Sequence, residues 1–405
     1  MRDKTEQTNI IYWVLAIMVA FYSGSALSVI SSTYRNSIIL VAAIFVIIRV
    51  LERRFKVTRT LRTLFFGIFA VMILTTAVAT QYSMFYLRLF TTIYLAYEIS
   101  ERFDGRVLID VYVKLMTLVT VVALIGYFAV NVLGIGNMMP KFTNINGEIY
   151  RGIGLFNYIE RLPERNCAMF WEPGLFATAL TFALVFEIIY VKQKSLIRMV
   201  LFVVGVITAN STAGYVLLAL LLVLVSLKIE PRQPLVKALL LFAQVTVIAA
   251  SIAVFLNLDK ILIASGLSQT GTFAKLMSGT LSESQRGRAI QDSFALFMEN
   301  PILGNGVEKV SQSMNYIADT ATSIYAMSIF GILGCSYSVF YIVGGLRQHK
   351  VNLLTRIVLI IIIFGILNKE PHIDLLFTWV FGFFLLKVAE EDRNKIVEEN
   401  KNVCI

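Results

Sequence analysis

Apolar residues fill long runs along this chain, and polar residues are confined to the connections between them. About twelve runs stand out, near 9–30, 36–51, 63–80, 83–100, 107–133, 173–191, 198–210, 213–228, 235–256, 322–346, 351–368 and 373–387. Each is long enough, or nearly so, to cross a ~30 Å hydrocarbon core. Those at 36–51, 198–210 and 373–387 are short, so ten or eleven crossings fit the same pattern. Lipid offers the backbone no hydrogen-bond partners, so such runs must be helical. The expected fold is therefore all-α, a polytopic membrane bundle.

The polar connections set the expected orientation. With the N-terminus inside and the sides alternating, the inner connections hold 23 of the 36 Lys and Arg residues and the outer ones 11, while Arg88 and Lys114 fall within runs. Basic residues stay preferentially in the cytoplasm, so both termini are expected there. Two sizeable segments, about 134–171 and 257–321, then face outward. Residues 388–405 form a charged cytoplasmic tail, and the N-terminus has no cleavable-looking leader.

Composition sharpens this picture. A chain that is 57% apolar and 15% charged is not a soluble protein. Its formal charge of +10 reflects membrane orientation and attraction to anionic lipid; nucleic acid is not an expected partner. The chain has two histidines (His349 and His372) and three cysteines (Cys167, Cys335 and Cys404), with no metal-ligand spacing. Phosphate-loop and dinucleotide fingerprints are missing as well, so neither a metal nor a cofactor is expected.

What remains is arginine chemistry on the two outward segments. The first carries Arg151, Arg161 and Arg165, followed by Glu172-Pro173 at the start of the next run. Proline suits a first helical turn, and Glu172 would stand at the positive end of that helix. The second contains "SQRGRAIQDSFALFMENPILGNG" (284–306), with Arg286 and Arg288 ahead of Ala289, Ile290, Ser293, Phe294, Phe297 and Met298 at helical spacing. A short helix along the membrane surface is expected over 285–299, ended by Asn300-Pro301. Guanidinium groups are permanently charged and bind phosphate oxygens in pairs. Several of them on an outer face suit a lipid-linked diphosphate. Each alone also has an ordinary reading as an anchor to lipid phosphates. Glu172 reads as a helix-start carboxylate, a partner of Arg165 or a base. The aromatic residues of 142–171, Tyr158 and Trp171 among them, are candidates for stacking on sugars or for simple interfacial anchors.

Three stretches carry a resemblance: "ERNCAMFWEPGLFATALTFAL" (164–184), "TANSTAGYVLLALLLVLV" (208–225) and "RGRAIQDSFALFMENPILGNG" (286–306). In order and spacing they resemble signatures of the O-antigen polymerase and ligase superfamily. The resemblance implies a GT-C-like, metal-independent glycosyltransferase acting at the periplasmic face. Donor and acceptor would both be oligosaccharides on undecaprenyl diphosphate, with a chain-length regulator as a further partner. It implies catalytic roles for Arg165, Arg286, Arg288 and Glu172, and substrate contacts for Arg151, Arg161, Gly304 and Gly306. Ligases open the span after 321 with His-Asn, whereas this chain has Thr320, Ala321, Thr322 and Ser323. That favours the polymerase branch over the ligase. Lys369, Glu370, His372 and Asp374 stand where the last two runs meet. That turn is expected at the outer surface, with His372 and Glu370 as candidates for acceptor-sugar binding. A flippase is the other alternative; it would need charged residues at mid-membrane and two related halves.

Overall fold

The computed structural model describes residues 2–52, 58–79, 83–227, 238–239, 242–246, 288–314, 321–348, 352–369 and 372–403. The apolar runs become helices: α1 (Arg2–Phe21), α2 (Ser32–Leu51), α3 (Arg59–Ala79), α4 (Met84–Arg102), α5 (Gly105–Asn131), α6 (Pro173–Ile189), α7 (Leu196–Ala209) and α8 (Thr212–Ser226). Residues 288–299 form α9. It is followed by α10 (Gly306–Ser313), α11 (Thr322–Phe330), α12 (Cys335–Leu346), α13 (Leu353–Leu367) and α14 (Leu376–Val403). Among the described residues, four helical runs are long and apolar enough to cross a membrane: Ser32–Leu51, Arg59–Val78, Gly105–Asn131 and Thr322–Leu346. The chain is a mostly helical membrane protein. Most of the run expected at 235–256 and of the outward segment 257–321, including Arg286, lies outside the described residues, as does Glu370.

The described residues divide into two compact units. The first comprises Met1–Phe55, Tyr94–Leu218 and Leu375–Phe384. Its centre is α6, whose side chains are buried from Pro173 to Ile188 because every face meets an apolar neighbour. Phe186 and Tyr112 both close on Phe381, with ring centroids 4.7 and 4.9 Å away, and Phe182 lies 5.4 Å from Phe377. The fully buried Glu187 near the end of α6 accepts from Arg198 Nε at 3.1 Å and Nη2 at 2.9 Å, and from the Ser195 N–H. One carboxylate thus ties α6 to the start of α7.

One expectation changes within this unit, and one small element is added to it. The first apolar run, read as 9–30, stops being helical at Phe21. Gly24 (φ +98) turns the chain, and the backbone then pairs with residues 169–171: Ala26 N–H to Met169 O at 2.8 Å and Trp171 N–H to Gly24 O at 2.9 Å. The helical fold also carries one small sheet. Three short antiparallel strands, β1 (Lys141–Thr143), β2 (Ile149–Gly152) and β3 (Asn157–Ile159), form a sheet of order β1-β2-β3. Phe142 opposes Tyr150, and Tyr150 opposes Ile159. These three pack inward with Ala26, Cys167, Leu162 and Trp171, while Lys141 and Arg151 occupy the other register positions.

The second unit comprises Lys56–Ile93, Ala219–Asp374 and Leu385–Ile405. Its main surprise is the 322–346 run, expected as a single span. Gly331 (φ +62) reverses the chain after α11. The Ser323 and Ser338 hydroxyls meet at 2.6 Å, and a Cβ on Gly334 would stand 2.3 Å from Ala326 O. In one continuous helix, residues fifteen apart would be separated by about 22 Å. The run is a helical hairpin of α11 and α12, so its length alone misstates its path.

Candidate functional site

The sequence-derived site residues fall into both units, and each group has its own geometry. In the first unit the 132–172 loop is pinned to the helices by asparagines and tyrosines. Asn166 is fully buried. Its N–H donates to Thr208 O at 3.0 Å, and its amide to Thr208 Oγ1 at 3.2 Å and Ala123 O at 3.3 Å. Its own Oδ1 accepts from Ala168 N–H. From α5, Tyr127 Oη donates to Glu164 O at 3.2 Å, and Asn131 Nδ2 to Pro163 O at 3.1 Å. The segment 163–168 is thereby held against the end of α5 and the α7–α8 turn. Two of the three resembling stretches, 164–184 and 208–225, meet here.

Both non-glycine residues with positive φ among the described residues lie at this junction: Ala168 (φ 50) and Asn210 (φ 47). Such conformations cost L-residues free energy and persist only where the surroundings impose them. Asn210 Oδ1 lies 3.1 Å from Tyr215 Oη, which can donate to it.

Arg165 projects from this rigid shelf. It is half-buried, and its Nε is shielded from solvent with no hydrogen-bond partner. Its charge reaches the Tyr215 hydroxyl on α8 and the Cys167 thiol. Cys167 is fully buried, and burial pushes its thiol up to about 12; a hydrogen bond from the Ile159 backbone and the charge of Arg165 oppose that, while Glu172 adds to it. Arg165 and Glu172 therefore both lie within electrostatic reach of Cys167. Leaving a donor of a charged group dry and unpaired costs about 1–3 kcal/mol or more.

The other arginines of this loop differ. Arg161 makes a two-pronged pair with Glu148, Nε to Oε1 at 2.9 Å and Nη2 to Oε2 at 3.0 Å. Arg151 pairs with Glu160 at 2.7 Å and donates to Asn137 O, and Lys141 approaches Glu160 at 3.2 Å. Both guanidiniums brace the sheet. Tyr158 is buried, and its hydroxyl occupies the space a Cβ on Gly136 would need, so it offers no face to a sugar. Trp171 is half-buried; it packs on the loop core, and the Arg35 guanidinium lies 6.0 Å from its ring centroid. Glu172 is the N-cap of α6, ahead of Pro173 as expected, but its side chain makes no capping bond.

No family model, no curated protein and no solved structure matches this chain. The functional reading accordingly rests on the residues themselves.

In the second unit Arg288 is exposed at the start of the described part of α9. Gly304 and Gly306, expected near substrate, serve the backbone. A Cβ on Gly304 would lie 2.2 Å from Ile329 O and 2.4 Å from Gly331 N. Ile332 N–H donates to Pro301 O at 2.6 Å, Asn305 N–H to Ser328 O at 2.9 Å, and Val307 N–H to Tyr86 Oη at 2.9 Å. The Pro-Ile-Leu-Gly-Asn-Gly turn is thus locked onto the reversal between α11 and α12. Gly306 (φ +76) opens α10 in a conformation that favours glycine.

His372 is buried, and its N–H donates to Thr322 Oγ1 at 2.8 Å. Asn368 Oδ1 accepts from Ser323 N–H at 2.9 Å, and Arg88 pairs with Asp374 at 3.1 Å. In the first unit, Leu376 N–H donates to Tyr22 O at the end of α1, and Phe377 packs on Phe182 of α6.

Sequence reasoning missed Asn166, Thr208, Tyr127 and Tyr215. Their only signal was that Asn166 follows Arg165 and Thr208 opens the second resembling stretch.

Proposed function

We propose that this protein is a polysaccharide polymerase of the O-antigen (Wzy) type, a metal-independent glycosyltransferase of the bacterial inner membrane whose site faces the periplasm. The observation that carries the reading is the half-buried Arg165, whose Nε is dry and unpaired on a shelf fixed by Asn166 and Thr208. An anion suits it. In this reading the anion is the diphosphate of an undecaprenyl-linked glycan. A hydroxyl of a new lipid-linked repeat unit attacks the donor's anomeric carbon as the bond to the diphosphate oxygen breaks, and the hydroxyl proton passes to a base. Undecaprenyl diphosphate leaves with the bonding electrons. Charge grows on the departing oxygens, so a fixed guanidinium binds the transition state more strongly than the ground state, by about 3–4 kcal/mol for one donor. Arg286 and Arg288 enter this reading from the sequence resemblance alone, and Glu172 and His372 enter as acceptor-side groups. Against a flippase, the intramembrane charges are neutralised in pairs: Arg88 with Asp374, Lys114 with Asp110 and Glu187 with Arg198.

The test compares two arginines of one loop in a strain deleted for the native protein. Arg165→Ala should insert normally but lose the ladder of long surface glycans, with turnover down ~10²–10³-fold. Arg161→Ala, which removes only an exposed ion pair, should retain the ladder. Full-length glycans from Arg165→Ala would refute the proposal.

A further inference from the structure

The helix α9 divides its apolar surface in a way that identifies its neighbour. Ala289, Ser293, Leu296 and Phe297 are buried, whereas Ile290, Phe294 and Met298 stand 37%, 50% and 58% exposed. Arg288, Gln291, Asp292, Ala295 and Glu299 are exposed too. At roughly 100° per residue these sets occupy three contiguous arcs: about 100° against protein, about 80° apolar and open, and about 100° mostly polar.

The open apolar arc continues beyond the helix. Ile302 is 68% exposed, and Ile332, whose N–H is bonded to Pro301 O, is 58% exposed on the α11–α12 hairpin. A single continuous strip thus runs from Ile290 across the locked turn onto an apolar hairpin. It is flanked on one side by packed protein and on the other by polar side chains.

We infer that the Ile290–Phe294–Met298–Ile302–Ile332 strip contacts the acyl chains of the bilayer, with α9 lying in the interface as a wall between protein and lipid. Three observations favour lipid over a protein partner. The strip is a narrow arc and not a broad face, it merges with the apolar hairpin, and its polar border begins with the exposed Arg288, a side chain able to reach lipid phosphates. The inference is independent of the proposed reaction.

Nitroxide scanning tests it in full-length protein reconstituted into phosphatidylethanolamine/phosphatidylglycerol vesicles. Cys335 and Cys404 would be replaced, and the buried Cys167 retained. Single labels at 290, 294 and 298 should collide more with oxygen than with a water-soluble nickel chelate. Labels at 291, 295 and 299 should show the reverse. Nickel access at 294 equal to that at 295 would overturn the inference, because the arc would then face water. Low access to both reagents at 290, 294 and 298 would overturn it equally, because protein would then cover the strip.

Discussion

Replacing Gly304 with alanine tests whether the Pro-Ile-Leu-Gly-Asn-Gly turn is a structural lock or a ligand contact. Two costs follow from the geometry. The residue sits at φ +74, where a side chain costs about 1–2 kcal/mol. The new methyl would also stand 2.2 Å from Ile329 O and 2.4 Å from Gly331 N. These are main-chain atoms that cannot rotate aside, and such overpacking costs about 1–3 kcal/mol. The sum is ~2–5 kcal/mol. At about 2–4 °C per kcal/mol for a domain of ~150–250 residues, melting should fall by ~4–20 °C. Gly147→Ala supplies the control, because Gly147 has φ +82 but nothing within 4 Å of the added Cβ, so only the strain remains. Thermal melts of detergent-solubilised protein, followed by fluorescence-detected size exclusion, would compare the two. A Gly304→Ala protein as stable as Gly147→Ala would refute the interlock. Wild-type stability with lost polymer would return Gly304 to the substrate site.

Further outcomes follow from buried groups in the first unit. Glu187→Ala should lower stability by about 3–5 kcal/mol by leaving Arg198 without its counter-charge, and Glu187→Leu with Arg198→Leu should recover most of the loss in the same melts. With Cys335 and Cys404 replaced, Cys167 should resist maleimide at pH 8 until SDS unfolds the protein. Its thiol lies near 12, so only ~10⁻⁴ of it is reactive thiolate at that pH; labelling of the folded protein would refute its burial.

The helices were legible because apolar runs leave lipid-embedded backbone no alternative. Pro173 marked the start of α6 for an equally local reason. Periodicity also placed α9 but merged its two apolar arcs, since a wheel cannot tell protein from lipid. The strands were missed because three or four residues are too few to display alternation. Gly331 looked like any glycine in an apolar run, and its reversal depends on Gly304, 27 residues earlier. In the loop, charge balance held a usable clue. Residues 134–172 carry four cations and four glutamates, so most of the arginines had partners available. Which one stayed unpaired was set by the sheet register, which brings Glu160 to Arg151, and by the fold of the hairpin that brings Glu148 to Arg161.

The end of α1 is where distant parts of the chain finally join. Gly24 and Ala26 wait for Trp171 and Met169, while Tyr22 O and Ser23 Oγ wait for the N–H groups of Leu376 and Phe377. At about 5–20 residues per second of synthesis, the first partners emerge ~7–30 s after residue 26. The last follow only after ~18–70 s. The first unit therefore cannot complete these bonds until residue 377 has been made, and a truncation that removes α14 would leave the earliest-made helix with unfilled acceptors.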